Sequence, residues 1–204
     1  MIIIENEEIV GWESAIRGMR NPMNSWNKSD TKGLTVGEKD LKLMQTLCTA
    51  GTDHRKYMRM MNVYMRITAP LYWWKEFDTY KVGTTCNSCS TMHKIHEKEF
   101  ELDDFSHEHL NNLSVTFLNY TITALNYARE SFMEYGSKDY WWQMIQLLPS
   151  SYNQTRNVMM NYEVLANMYK SRQHHKLDEW REFCETIKLL PLSEIITGED
   201  NHEQ

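Results

Sequence analysis

Two stretches of this chain hold side chains whose types and spacing suit ligand chemistry. The first is the small, hydroxyl-rich tract Gly83, Thr84, Thr85, Cys86, Asn87, Ser88, Cys89, Ser90, Thr91. Residues this small cannot build a core, but they let backbone amides and hydroxyls come close to a ligand. A plain surface loop has the same composition, and both readings stand. The second is NYEVLANMYKSR, where Asn161, Asn167 and Arg172 offer two amides and a guanidinium. On one continuous helix, Asn161 and Arg172 are separated by about 1100° of rotation, about 20° from facing the same way, and Asn167 points about 120° aside. Such a helix lines a polar pocket while Val164, Leu165 and Met168 face the core. The alternative is a pair of ordinary surface amides.

Two further clusters carry chemistry. Cys86 and Cys89 form a Cys-x-x-Cys pair, suited to redox work or to half a zinc site. No second such pair exists, and His93 and His96 follow too closely for a zinc finger, so no metal is assigned. His54, Arg55, Lys56 and Arg59 make a dense basic run, which reads either as a solvated face or as a cluster available to an anion.

The elements that must position these residues follow from periodicity. Ile2–Val10 reads as a strand and Trp12–Met19 as a short helix, with a loop from 21 to 33. Thr35 with Glu38 has the capping-box pattern, opening a helix that carries Leu41, Met44, Leu47 and Cys48 and stops at Gly51. Val63–Ile67 alternates as a half-buried strand, and Pro70 opens a helix over Leu71–Tyr80. A long amphipathic helix spans Leu110–Tyr135, its apolar stripe being Leu113, Phe117, Tyr120, Ala124, Tyr127, Ala128 and Ser131. Another helix covers Tyr140–Leu148. Pro149 ends it, and Ser150 or Ser151 caps a further helical segment, Tyr152–Leu190.

The chain has 204 residues, 41% hydrophobic and 25% charged, which suits one globular domain, placed over 1–195 with a polar, disordered tail over 196–204. The formal charge of −6 argues against general nucleic-acid binding. The start, MIIIENEEIV, turns acidic too soon for a signal peptide or a membrane span, so a cytoplasmic setting with four reduced cysteines is expected. Dinucleotide, P-loop and Gly-x-Ser-x-Gly patterns are missing.

Taken together, two segments resemble the flavin-dependent thymidylate synthases. TAPLYWWKEFDTYKVG lies on that family's strand, Pro turn and helix leading to an Arg-His-Arg, x7, Ser signature. NYEVLANMYKSR is similar to its late helix, where an Asn, a second Asn six residues on and an Arg five later line the flavin and nucleotide site; Leu148–Pro149 before it also fits. The order of elements matches from about Ile2 to Leu190. The resemblance implies an α+β fold, an antiparallel sheet packed with long helices. It also implies FAD as cofactor, methylation of dUMP using methylenetetrahydrofolate and NADPH, and a homo-oligomer, a tetramer, with sites shared between subunits.

Carried over residue by residue, it implies cofactor contacts from His54, Tyr80, Lys81, Asn161, Asn167 and Arg172. Substrate contacts fall on Asn87, Ser88, Ser90 and Arg172, and no side chain of the protein serves as nucleophile. The signature itself is altered. Thr79, Tyr80 and Lys81 stand at Arg-His-Arg, Met92 stands at a later Arg, and one extra residue near Cys86 brings Asn87 and Ser90 onto the family's Asn and Ser. Guanidinium binds phosphate bidentately, which Lys does not reproduce. The altered signature therefore also supports a non-catalytic relative of this fold, binding a different nucleotide-like ligand or acting as a structural or regulatory oligomer.

Overall fold

The structure, a computed structural model, describes residues 1–33 and 35–198. In chain order the strands and helices are β1 (Ile3–Val10), α1 (Trp12–Arg20), α2 (Glu38–Thr49), β2 (Asn62–Pro70), α3 (Leu71–Phe77), β3 (Thr84–Ser88), α4 (Asn112–Tyr135), α5 (Lys138–Leu147), β4 (Asn153–Asn161), α6 (Tyr162–Arg172), α7 (Asp178–Leu189) and α8 (Glu194–Thr197). The four strands form one antiparallel sheet in the order β1-β2-β4-β3. The α+β class expected from the sequence therefore holds, with β3 on an edge.

The registers are fixed by backbone bonds. Leu71 N donates to Tyr152 O and Tyr162 N to Met61 O, both at 3.0 Å. On the other side Asn161 N donates to Gly83 O at 3.1 Å and Cys89 N to Thr155 O at 2.9 Å. β4 thus stands where the sequence reading placed a helix. Its buried residues Gln154, Val158 and Met160 alternate with exposed or half-buried neighbours, the period of a strand.

Contacts divide the chain into two compact units. One comprises Met1–Ile3, Ile67–Thr79 and Asn87–Arg156; the other comprises Ile4–Arg66, Tyr80–Cys86 and the chain from Asn157 onward. In the first, α4 and α5 enclose Ile95, Phe100, Phe105, Leu118, Ile122, Leu125 and Met144. Asn126 on α4 holds the incoming connector by both backbone groups of Phe100, accepting from its N at 2.8 Å and donating to its O at 2.9 Å. α3 buries Trp73, Trp74 and Phe77 completely, and Trp74 Nε1 donates to Gln154 O at 2.9 Å. The stripe expected on α4 is divided: Leu113, Phe117, Tyr120, Ala124 and Tyr127 are exposed while Ala128 and Ser131 are buried, and the helix packs through Leu118, Ile122, Leu125 and Ala128.

The second unit has a methionine-rich core: Met44, Met58, Met61, Met65, Met160 and Met168 are all buried. Flexible thioethers fill the irregular space left between large rings. Trp12 meets Tyr162 edge-on at 5.3 Å, and Tyr162 donates its hydroxyl to Pro191 O at 2.7 Å. α2 begins at Glu38, after Gly37, so Thr35 does not cap it. Asp30 does that work from the preceding loop, accepting from Lys39 N at 3.0 Å and Asp40 N at 3.1 Å. Asp40 in turn is fully buried and accepts from Arg20 Nε at 2.6 Å, Ser29 Oγ at 2.6 Å, Thr31 Oγ1 at 2.7 Å and two backbone amides. At the C-terminal end Ile196 is buried within α8, so 196 and 197 belong to the folded part; the expected tail from 199 lies outside the described residues.

Candidate functional site

β4 passes directly into α6, and Asn161 makes the transition. Its backbone is extended, at φ −94° and ψ 162°, and its side-chain oxygen accepts from Val164 N at 2.9 Å. It is the N-cap of α6 rather than a member of the helix. The shared face with Arg172, expected for one continuous helix, therefore does not form.

Gly83 lies against this cap with φ +81°, and a Cβ there would stand 2.4 Å from Asn161 Nδ2. Both the backbone and the space demand glycine. Gly83→Ala is expected to lower stability by about 2 kcal/mol, from strain plus displacement of the cap. Urea denaturation reads this directly, and an unchanged midpoint would remove Gly83 from the framework of α6.

Arg172 closes α6. Its guanidinium carbon lies 4.7 Å from the ring centroid of Trp180 and 5.6 Å from that of Tyr80, and its Nε donates to the Tyr80 hydroxyl at 3.0 Å. Trp180 is fully buried and meets Tyr80 edge-on at 6.0 Å. A delocalised cation between two electron-rich ring faces is well held, at about 1–2 kcal/mol for each desolvated contact. Tyr80, the middle residue of the altered signature, is thus the partner that orients Arg172. Lys81 beside it is exposed.

Asn167 sits five residues before Arg172 on α6, about 140° around the axis. It is exposed, and its side-chain oxygen accepts from Arg55 Nη2 at 3.1 Å. Arg55 Nε also donates to Glu163 Oε1 at 3.4 Å, and Arg59 pairs with the same carboxylate through Nε and through Nη2, the latter at 3.2 Å. Burial raises the Glu163 carboxyl, but Arg59 and then Arg55 more than reverse it, holding the group below the ordinary range.

Two guanidiniums share one carboxylate, and among the described residues neither Nη1 donates a hydrogen bond. The patch therefore offers planar guanidinium donors, the chemistry that receives a phosphate, with Asp53 as a second carboxylate acting on Arg59. His54, the expected contact in this run, is an exposed turn residue next to Arg55. Arg55 and Arg59 are the residues that sequence reasoning left as part of an undifferentiated basic run. Its density was the signal, but the partner Glu163 lies more than a hundred positions away.

Of the expected substrate contacts, Arg172 belongs to the second unit, and Asn87, Ser88 and Ser90 lie in the first. Asn87 and Ser88 are exposed on the edge strand β3. Ser90 Oγ is committed locally, accepting from Met92 N at 3.1 Å and His93 N at 3.0 Å. The bonds Asn161–Gly83 and Cys89–Thr155 are six residues apart on both strands, so β3 runs against β4 without a bulge. With no extra residue, seven positions (82–88) separate Lys81 from the signature serine position, which then falls on the exposed Cys89. Among the described residues no group of three His, Cys, Asp or Glu side chains could hold a metal, and no helix is long and apolar enough to cross a membrane.

No protein-family model matches the chain, and no curated protein matches it in sequence. Solved structures do match. Flavin-dependent thymidylate synthase ThyX from Helicobacter pylori, complexed with FAD and dUMP, superimposes with a TM-score of 0.71 at 18% identity over 98% of both chains. A second structure of that protein, also with FAD and dUMP, gives 0.70 at 18% identity over 98% of this chain and 97% of its own. The UMP/dUMP methylase PolB from Streptomyces cacaoi, bound with 5-Br dUMP, gives 0.60 at 10% identity over 93% of this chain and 88% of its own. At these identities the likeness speaks for architecture, and the fold of this chain is that of the flavin-dependent thymidylate synthases.

Proposed function

We propose that this chain is a divergent nucleotide-binding relative of the flavin-dependent thymidylate synthases, whose reaction is FAD-mediated methylation of dUMP with methylenetetrahydrofolate and NADPH. The observation that carries the reading is the Arg55–Arg59–Glu163–Asn167 patch, a phosphate-suited surface on a fold whose solved examples hold FAD and dUMP. The anionic part of FAD or of a nucleotide fits these donors. Arg55 and Arg59 would bind phosphate oxygens, Asn167 would orient Arg55, and His54 would add charge at the rim. Arg172, stacked and aimed by Tyr80, is the second candidate contact, with Lys81, Asn161, Asn87, Ser88 and Ser90 as further ones. FAD, when bound, supplies the hydride chemistry that these side chains lack. The same reading carries one functional domain, placed over 1–195 from the sequence and running on through α8 to Thr197, a homo-oligomer, by resemblance a tetramer, and a cytoplasmic setting.

A second reading has a specific observation behind it. Arg172 is engaged by Tyr80, and the signature arginines are replaced by Thr79 and Lys81, which suits a non-catalytic relative that binds a different nucleotide-like ligand or serves as a structural or regulatory oligomer. Visible absorbance and thermal shift separate the two. Under the first reading FAD and dUMP each stabilise the protein, by about 2.7 kcal/mol at a hundredfold excess over Kd, and dTMP forms when the folate and NADPH are added. Stabilisation by a nucleotide without flavin absorbance or turnover selects the second. No stabilisation by FAD, dUMP or other nucleotides overturns the ligand-binding part of both.

A further inference from the structure

The outward stripe of α4 has a regular spacing that its own fold uses only at one end, where Tyr127 meets Tyr140 of α5 edge-on at 6.5 Å. Leu113, Phe117, Tyr120, Ala124 and Tyr127 follow one another at intervals of four, three, four and three, the a and d positions of a heptad seam. All five are exposed: Leu113 to 65%, Phe117 to 62%, Tyr120 to 68% and Tyr127 to 65% for the large ones. The helix packs on its own unit through a different stripe, Leu118, Ile122 and Leu125.

The outer face also lacks what water-facing helices carry. Residues 110–128 contain no Asp, Glu, Lys or Arg. Its threonines turn their hydroxyls back on the helix: Thr116 donates to Asn112 O at 2.8 Å and Thr123 to Asn119 O at 2.9 Å. From the size of aromatic side chains, the seam and its flanks expose on the order of 500–600 Å². A patch of that size on a monomer marks an interaction site. Two such faces together bury on the order of 1,000–1,200 Å², about what a specific interface requires.

We propose that this seam is the face by which two copies of the chain pair, their α4 helices running antiparallel about Tyr120. The seam is close to symmetric in sequence about that residue. In antiparallel register Leu113 stands opposite the second copy's position 127, and bulky Phe117 falls opposite the small Ala124, within one residue. Large-against-small facing positions let a symmetric, isologous contact close without voids. A charge-free face fits a charge-free partner, and a second copy supplies one. This pairing rests on the homo-oligomer part of the reading above and assigns the surface that makes it.

Light scattering tests it on the full chain. Wild type should run as a multiple of the monomer mass, and Tyr120→Lys and Phe117→Asp should each halve that mass while leaving the far-ultraviolet circular dichroism unchanged. In a background with Cys86 and Cys89 changed to Ser, Tyr120→Cys should cross-link to itself on oxidation. Leu113→Cys should not do so alone, but should cross-link when mixed with Tyr127→Cys, because only antiparallel pairing brings those β-carbons within disulfide reach. Self-cross-linking of Leu113→Cys overturns the antiparallel register. A wild-type oligomer whose mass survives both charged substitutions overturns the seam and leaves the oligomer standing. A wild-type monomer overturns both, and flavin absorbance is an independent readout in every case.

Discussion

Asp40→Ala is expected to be the most damaging single substitution in the second unit. The carboxylate is fully buried, and Arg20, its ionic partner, is itself only 5% exposed. Removing Asp40 leaves that guanidinium buried without a counter-charge and strips acceptors from Ser29, Thr31 and two amides. Breaking a buried pair from one side costs about 3–5 kcal/mol, a large share of a domain's stability. Replacement of both partners together should cost less, since no orphaned charge remains.

The same group sets an acid limit. Burial raises the Asp40 carboxyl, but Ser29, Thr31 and Arg20 together lower it from 3.8 to about 2. A depressed folded-state value means the carboxylate contributes fully above about pH 4 and progressively less as pH falls toward 2. The contribution is on the order of 2 kcal/mol. Denaturant midpoints of wild type should fall between pH 5 and pH 2, and Asp40→Asn should flatten that part of the profile. A variant with the wild-type slope would show that other carboxylates govern the acid limb.

Glu163→Ala carries the second large effect, and it has two signs. Glu163 neutralises Arg55 and Arg59 in a half-buried setting, so its loss should lower stability by about 2–3 kcal/mol. It also leaves two planar donors without their shared carboxylate, which should raise affinity for an added anion. Inorganic phosphate should therefore lift the melting temperature of Glu163→Ala more than that of wild type. Arg55→Ala in the same background should erase the difference. Equal phosphate shifts in wild type and variant would remove the patch from the candidate site. In wild type the Glu163 contribution declines as pH falls through its depressed titration, so acid should act on the patch in the same direction as the substitution.

Local signals carried much of this architecture. The β-branched run in β1, the Pro turn before α3 and the periodicity of α4 each name an element without tertiary help. β4 was hidden because Gln154, Thr155 and Arg156 interrupt the apolar alternation, and because Pro149 followed by two serines reads as a helix start. Gln154 is buried for a long-range reason: its Nε2 donates to Cys89 O at 2.7 Å. α4 illustrates a different limit. Its sequence holds two apolar stripes, and nothing local says which one faces the parent fold. The site shows the same division. The spacing of Asn161, Asn167 and Arg172 located α6, but their work depends on Gly83, Arg55 and Tyr80, each far away in sequence.

The methionine core of the second unit has a consequence for chemical durability. Thioethers are the side chains most readily oxidised after thiols, and a sulfoxide is too polar and too bulky for a close-packed interior. Met23, 82% exposed, and Met133, 59% exposed, meet an oxidant first and lose little by it. Met58, Met61 and Met160 meet it only when the unit opens, and a chain oxidised there cannot repack around the same rings. Native packing is thus the shield of the residues that create it, and the lifetime of this protein under oxidants is set by how often that core opens.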